Sequence, residues 1–471
     1  MLGYPRFAHC RSEQPEATSR QVATLHRKRV TRFTRMVGPP HISLPYRAHA
    51  ASPPRRTSEF QSVSNNAVVS GFVTLMATAT RRRAMGLPAV FLMAATAGVA
   101  QSFGRFAFGV VLPAVRSDLD LSNTIAGSLT TVNVGAYLLG TLAVASFASS
   151  YKLLAIMRTG FLFALTGLVT AALAPGVWFV GIAMFCSGFG GALIWIPAPV
   201  IAAAAMPPEK RSIAIGLMGS GMGFGVVFAS QLTSYVRSSG GDESWRTVYV
   251  VLSVVAACVL VATFFLIGHD QEQPRNTGGG FGGFSSLKRM RGWLPLTSAY
   301  TSFGFMYLLI LAFLSTKLED DNGWTSSRAS LAFTLVGIAM MFGGPVFITI
   351  ASRIGSRLGL TLAFSGWIAV VLLVLPGWFA VTLPAAVVIG LLFAGVPSMI
   401  TLYVVENTTV EDYGPSFAAA TLAFGVAQMI SPQIGGVLAD LTGSFTTVFL
   451  LSAALAATGL VAALRLPKQG D

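Results

Sequence analysis

The chain has 471 residues, of which 53% are hydrophobic and only 11% charged, and its mean hydropathy is +0.67. Soluble domains carry about 25% charged residues, so a soluble globular protein is excluded and a membrane protein is indicated. The net charge of +14 does not point to a nucleic-acid partner, because residues 1–84 hold 14 Lys+Arg against three acids while the rest of the chain is nearly balanced, 18 against 15.

Residues 1–84 are rich in Arg, Ser, Pro and Thr, hold four of the five His and lack sustained hydrophobic periodicity. Such a segment is expected to be disordered. Three origins stay open for it: a start placed upstream of Met36, Met76 or Met85, a solvated basic tail, or a transit-like peptide, which is also Arg-rich and acid-poor. Cys10, Cys186 and Cys258 stand far apart without CxxC spacing, so neither a disulfide framework nor a metal site is expected.

From Leu87 onward, apolar runs of about twenty residues follow one another, the length that crosses a bilayer as a helix. Twelve spans are predicted. Six, at 87–115, 124–148, 153–173, 177–205, 212–236 and 246–268, form a first half assigned to 85–268. Six more, at 292–316, 328–350, 358–378, 382–405, 416–439 and 445–465, form a second half assigned to 292–471. Between them, 269–291 contains Gly-Gly-Gly-Phe-Gly-Gly and reads as a flexible linker. No Gly-Lys-Ser/Thr follows, so a phosphate loop is not supported, and no cofactor is expected.

Fifteen Lys and Arg near span ends fall on the side of both termini, against five (Arg116, Arg237, Arg246, Lys317 and Arg328) on the other. The positive-inside rule then makes both termini and the linker cytoplasmic. The expected location is the plasma membrane, the inner membrane in a bacterium, with Trp178 and Trp378 near the outer interface.

An offset of 200 residues aligns the chain with itself. Ser102-Phe103-Gly104 meets Ser302-Phe303-Gly304, Trp178-Phe179 meets Trp378-Phe379, and Gly190 and Pro197 meet Gly390 and Pro397. Phe224-Gly225-Val226 meets Phe424-Gly425-Val426 at the same offset. This is a duplicated six-helix unit in which both copies keep one topology, an all-α membrane protein of two parallel-related halves. Carriers built in this way hold substrate between the halves near the midplane.

Twelve spans in two such halves with a basic central loop resemble the Major Facilitator Superfamily, over roughly residues 86–467. Ser352-Arg353-Ile354-Gly355-Ser356-Arg357, between spans 8 and 9, resembles that superfamily's Asp-Arg-x-Gly-Arg-Arg loop, with Ser352 in place of the acid and Ser356 in place of a basic residue. The first-half counterpart, Ser149-Ser150-Tyr151-Lys152, departs further. The resemblance implies gating roles for Arg353 and Arg357, and the two replacements put the usual charge pairs in question. Pro207-Pro208-Glu209-Lys210-Arg211 between spans 4 and 5 also fits. Gly-Arg-Phe-Ala at 104–107 and Tyr413-Gly414-Pro415 resemble the YbfB/YjiJ-type bacterial permeases. Ser431–Gly436 resembles a Gly-Pro-x-x-Gly-Gly motif, but 230–235, where exporters of the superfamily carry it, lacks the proline. An exporter assignment is not supported.

Arg105 is the one charge that the sequence places well inside a span, and its repeat partner is Phe305. A central Arg costs about 2.5–3.5 kcal/mol on insertion scales, and such groups usually face a cavity or a partner. Arg keeps its charge and offers a planar fork that matches a carboxylate. Three readings compete: an anchor for an anionic substrate, a structural partner of helix carbonyls, and a side chain that snorkels to the interface. Gln101 lies one turn earlier on the same face. Asn133 and Tyr137 repeat that spacing in span 2, and Tyr300, Tyr307 and Gln428 are further polar candidates. Trp195 beside Pro197 is either a stacking wall or packing. For the polar residues an interhelical hydrogen bond is the competing reading. In span 5, Gly219/Gly223 and Gly221/Gly225 are small-xxx-small pairs that permit close helix approach.

Proton coupling usually needs an acid in the pathway. Glu406 at the inner end of span 10 is the candidate for a coupling proton, and Asp440 lies at the outer end of span 11. His269, alone in the linker, argues against an integral-membrane enzyme. The expectation is therefore a monomeric secondary transporter in the lipid bilayer. It would move a small organic solute, with an organic anion leading, by alternating access. Efflux of amphiphilic drug-like compounds and a non-transporting sensor are the alternatives.

Overall fold

The computed structural model describes residues 86–148, 150–267 and 283–467. The basic segment 1–84, His269 and most of the Gly-rich linker lie outside them. Among the described residues, twelve helices are long and apolar enough to cross a membrane. The first six are α1 (Gly86–Leu119), α2 (Asn123–Phe147), α3 (Leu153–Ala172), α4 (Val177–Ala204), α5 (Ile213–Gly240) and α6 (Asp242–Leu266). The second six are α7 (Trp293–Asp321), α8 (Ser326–Ile354), α9 (Ser356–Val374), α10 (Phe379–Asn407), α11 (Glu411–Thr442) and α12 (Thr446–Leu464). Each of the twelve predicted spans corresponds to one of these helices.

The ends follow local chemistry. Ser122 and Thr409 accept the N–H groups of Ile125 and Asp412 and cap α2 and α11, and Thr325 caps α8 in the same way. α4 breaks at Ile196–Pro197 into Val177–Trp195 and Ala198–Ala204, whereas its repeat partner α10 runs through Pro397 unbroken. Arg158, counted from the sequence among the loop cations, is buried in the first turns of α3. Its guanidinium donates to the carbonyls of Thr263 and Ile267 and so satisfies the end of α6.

Packing repeats with the sequence. The pairs α2–α4, α3–α4, α3–α6 and α1–α5 in the first half return as α8–α10, α9–α10, α9–α12 and α7–α11 in the second. Between the halves, α5–α8 and α2–α11 are the two equivalent contacts of a two-fold arrangement, and α1 meets α7 near its axis. The glycines of α5 serve both sorts of contact. Gly221 and Gly225 lie against Ala94 and Ser102 of α1, while Gly223 lies against the Gly337 carbonyl of α8 in the other half. Gly219, expected together with Gly223 to permit close approach of another helix, faces open space.

Contacts between the halves are concentrated from the middle of the helices toward the end opposite the termini. There Gly127 meets the Pro432 carbonyl and Gly436 meets that of Asn123. Asp440 accepts the N–H groups of Asn123 and Thr124 at the start of α2, at 3.0 and 2.7 Å. The last turn of α7, Lys317–Asp321, is π-helical and carries three consecutive acids. Glu319 takes Arg237 of α5 in a two-pronged pair, 2.8 Å on each prong, Asp320 takes Arg116 of α1, and Asp321 accepts N–H groups of Phe445 and Thr446 at the start of α12. Toward the terminal end, a side-chain carbon at Gly216 or Gly219 of α5 would meet no other helix within 4 Å. The short helix Gly283–Arg289 instead packs on α11 of its own half, where Arg289 pairs with Asp412.

Candidate substrate site

Between Gly98 and Phe106, α1 is π-helical, and at its close the N–H of Ala107 reaches back five residues to the carbonyl of Ser102. Such wide turns re-aim side chains and are frequent at functional sites. The turn is held on two sides. The Ser102 hydroxyl donates to the Met222 carbonyl of α5 at 2.6 Å, and Gly104 lies against Ser187 of α4. Its remaining face carries Gln101 and Arg105 toward α2 and α7.

Arg105 is half-buried and reaches across the two halves, donating to the Tyr307 hydroxyl of α7 over 3.4 Å. Its guanidinium carbon sits 5.5 Å from the Tyr137 ring and 5.7 Å from the Phe106 ring. Gln101 donates to the Tyr137 hydroxyl at 3.3 Å. Among the described residues no carboxylate lies within ion-pair distance of Arg105, and its Nε–H is buried without an acceptor. Aromatic faces within about 6 Å attract a cation by about 0.5–2 kcal/mol. They leave its charge unneutralised, and an unsatisfied buried donor costs about 1–3 kcal/mol more.

A column of rings approaches this charge along α7 and α11. Tyr413 stacks on Phe417 at 5.9 Å, Phe417 on Tyr300 at 6.5 Å, and Tyr300 on Phe424 at 4.4 Å. Phe424 then stacks on Tyr307 at 6.0 Å, the residue that meets Arg105. Phe393 of α10 stands edge-on to Tyr307 and to Phe106. Sequence reasoning singled out Tyr300 and Tyr307 in this column and missed Phe106, Phe393 and Phe424, since an apolar ring in an apolar span carries no distinguishing signal.

The other sequence candidates divide. Arg105, Gln101, Tyr137 and Tyr307 form one connected group, and Tyr300 joins it through Phe424. The Asn133 amide donates to the carbonyls of Gly104 and Met184 at 2.8 and 2.9 Å and ties α2 to α1 and α4, while its Oδ1 is buried without a hydrogen-bond partner. Trp195 packs half-buried at the break of α4, and Gln428 is buried on α11; among the described residues neither hydrogen-bonds to the Arg105 group. Arg353 is exposed, and Arg357 donates to the Leu464 carbonyl at the end of α12, so neither forms an ion pair among the described residues. Glu406 accepts the Ser356 hydroxyl at 2.7 Å inside the second half. It lies beside a cavity of about 300 Å³ lined by Ser356, Arg357, Tyr403 and Asn407, away from the Arg105 layer.

Twelve helices in two parallel six-helix halves with a charged group where the halves meet define a carrier of the major facilitator class. Within that class, residues 67–464 match the family described as Uncharacterised MFS-type transporter YbfB, and the chain belongs to it. It is 24% identical over 374 residues to the Uncharacterized MFS-type transporter YfhI of Bacillus subtilis (strain 168), covering 76% of this chain and 89% of that protein. It is likewise 24% identical over 286 residues to the Probable sulfoacetate transporter SauU of Cupriavidus necator, covering 55% of this chain and 65% of that one. In fold it is similar to the crystal structure of a single-residue mutant of the nucleoside transporter NupG. That likeness has a TM-score of 0.67 at 14% identity and covers 80% of this chain and all of the other.

Proposed function

We propose that this membrane transporter carries a small organic anion between its two halves by alternating access, with Arg105 as the anchor for the anionic group. The observation that carries the reading is the unpartnered cation: a half-buried guanidinium at the junction of the halves, near two phenols and an amide, with a free Nε–H and no carboxylate among the described residues. A bound carboxylate or sulfonate would supply the missing acceptor and the missing charge together. The rings beside it offer flat apolar surface to the rest of a small organic molecule. The name of the sulfoacetate transporter, a relative over part of its length, points to the same anion chemistry.

Both termini and the linker lie on the cytoplasmic side in this reading, which the distribution of loop charges supports. The halves then meet at the outer end, and the Arg105 layer is reached from the cytoplasm. The test is uptake into sealed proteoliposomes of acetate, benzoate and sulfoacetate beside glucose and tetraphenylphosphonium. Saturable flux of one or more anions, with neither the neutral nor the cationic probe moving, is expected. Flux of the cation or of glucose in preference to every anion would contradict the reading.

A further inference from the structure

The π-helical end of α7 holds more negative charge than its cross-half partner on α5 can neutralise. Arg237 is 4% exposed at its side chain and binds two carboxylates at once. One is Glu319 across the halves, 11% exposed, with both of its oxygens taken by the two terminal nitrogens of Arg237. The other is Asp242 in its own half, 42% exposed, which accepts from Nε at 2.8 Å. Two acids on one guanidinium leave this trio with one surplus negative charge.

We propose that Glu319 is a proton-binding site, and that its protonation releases Arg237 and unlatches the end of the bundle opposite the termini. The inference rests on the alternating-access reading but not on the identity of the substrate. One proton brings the trio to neutrality. A neutral carboxylic acid has lost the charge that held both prongs, and Arg237 keeps Asp242, so the guanidinium is never left alone in a buried place. That second partner distinguishes this pair from a static buried ion pair, whose rupture strands a charge at a cost of several kcal/mol.

The surroundings leave Glu319 as the group that changes. Asp320 on the same turn is paired with Arg116 of α1. Asp321 is committed to the start of α12, and Lys317 to Asn322, the Leu375 carbonyl and Asp321. α8 also packs on this turn, and its nearest cation, Arg328, is exposed and turned to the Phe379 ring. Asp440 caps α2 from the other side of the two-fold. Glu406, the acid that the sequence offers for coupling, bonds to Ser356 within one half. No contact of that sort is made or broken when the halves separate.

The experiment is a spin-label distance measurement on the full-length protein in lipid nanodiscs without any transported solute. The labels sit at Ser239→Cys on α5 and Ser327→Cys on α8, both exposed. Cys10, Cys186 and Cys258 are replaced by serine. On lowering the pH from about 8 to about 5, across the range a shifted carboxylate spans, a longer-distance population is expected to grow in the parent protein. Glu319→Gln should show that population at every pH and lose the pH response. Asp242→Asn removes the alternative partner and a neighbouring negative charge, so its opening should move about one pH unit lower. A parent distance that ignores pH, a Glu319→Gln protein that stays closed, or an Asp242→Asn protein that titrates like its parent would each overturn the proposal. No arm uses a solute, so failure here leaves the anion reading of Arg105 untouched.

Discussion

Two layers of charge lie between the halves, and they are built on opposite rules. At the end opposite the termini, the arginines that cross between the halves have their acids: Arg116 has Asp320, and Arg237 has Glu319 with Asp242 in reserve. Nearer the middle, Arg105 has phenols, rings and an unfilled donor. A charge whose partner is in the protein belongs to the framework and its motions. Arg105 differs from Arg116 and Arg237 in having no carboxylate partner where the halves meet, and the proposed anion site rests on that difference.

The comparison can be broken at either layer. The largest effect is expected from Arg105→Gln, which removes the proposed anchor: anion flux should fall by about a hundredfold or more, as for a charge-assisted bidentate contact worth roughly 3 kcal/mol. Size-exclusion behaviour should stay unchanged, because no acid is left stranded. Arg105→Lys should restore only part of the flux, since an ammonium lacks the planar fork.

Arg237→Gln should act in the opposite sense. It strands Glu319, so thermal unfolding should show a loss of about 3–5 kcal/mol. An Arg237→Gln/Glu319→Gln pair should recover most of that loss. If both arginine substitutions destabilise alike, the distinction between the layers fails.

Smaller effects sharpen it. Tyr307→Phe removes the hydroxyl that Arg105 donates to but leaves the ring stacked on Phe424. An affinity change of up to about tenfold is expected in concentration-dependent uptake, in line with one hydrogen bond. Asp440→Asn weakens the charge at the start of α2. It should cost no more than about 1 kcal/mol of stability, read by the same unfolding measurement.

The sequence carried the architecture because twelve apolar stretches and a constant 200-residue offset are long-range signals that no local context can erase. It also carried the heart of the candidate site, since Arg105 is conspicuous among apolar neighbours and Gln101 and Tyr137 follow from helical spacing. The charges at the end opposite the termini were invisible as a group. Lys317, Arg237 and Arg116 read as loop markers of topology, yet α1, α5 and α7 run on as helices of 34, 28 and 29 residues; Arg116 and Arg237 come to pair across the halves, and Lys317 stays within its own half. The run Lys-Leu-Glu-Asp-Asp, unbroken by Gly or Pro after an apolar span, was the available hint. Asn133 shows the reverse: its composition suggests a site, and only the carbonyls of Gly104 and Met184 reveal a tie between helices.

The most direct measurement is equilibrium binding of radiolabelled sulfoacetate and benzoate to the purified protein, parent and Arg105→Gln side by side. Saturable binding of at least one anion by the parent, lost in Arg105→Gln while both proteins unfold at the same temperature, is the expected result. Equal anion binding by the two proteins would contradict the assignment of Arg105 as the anchor.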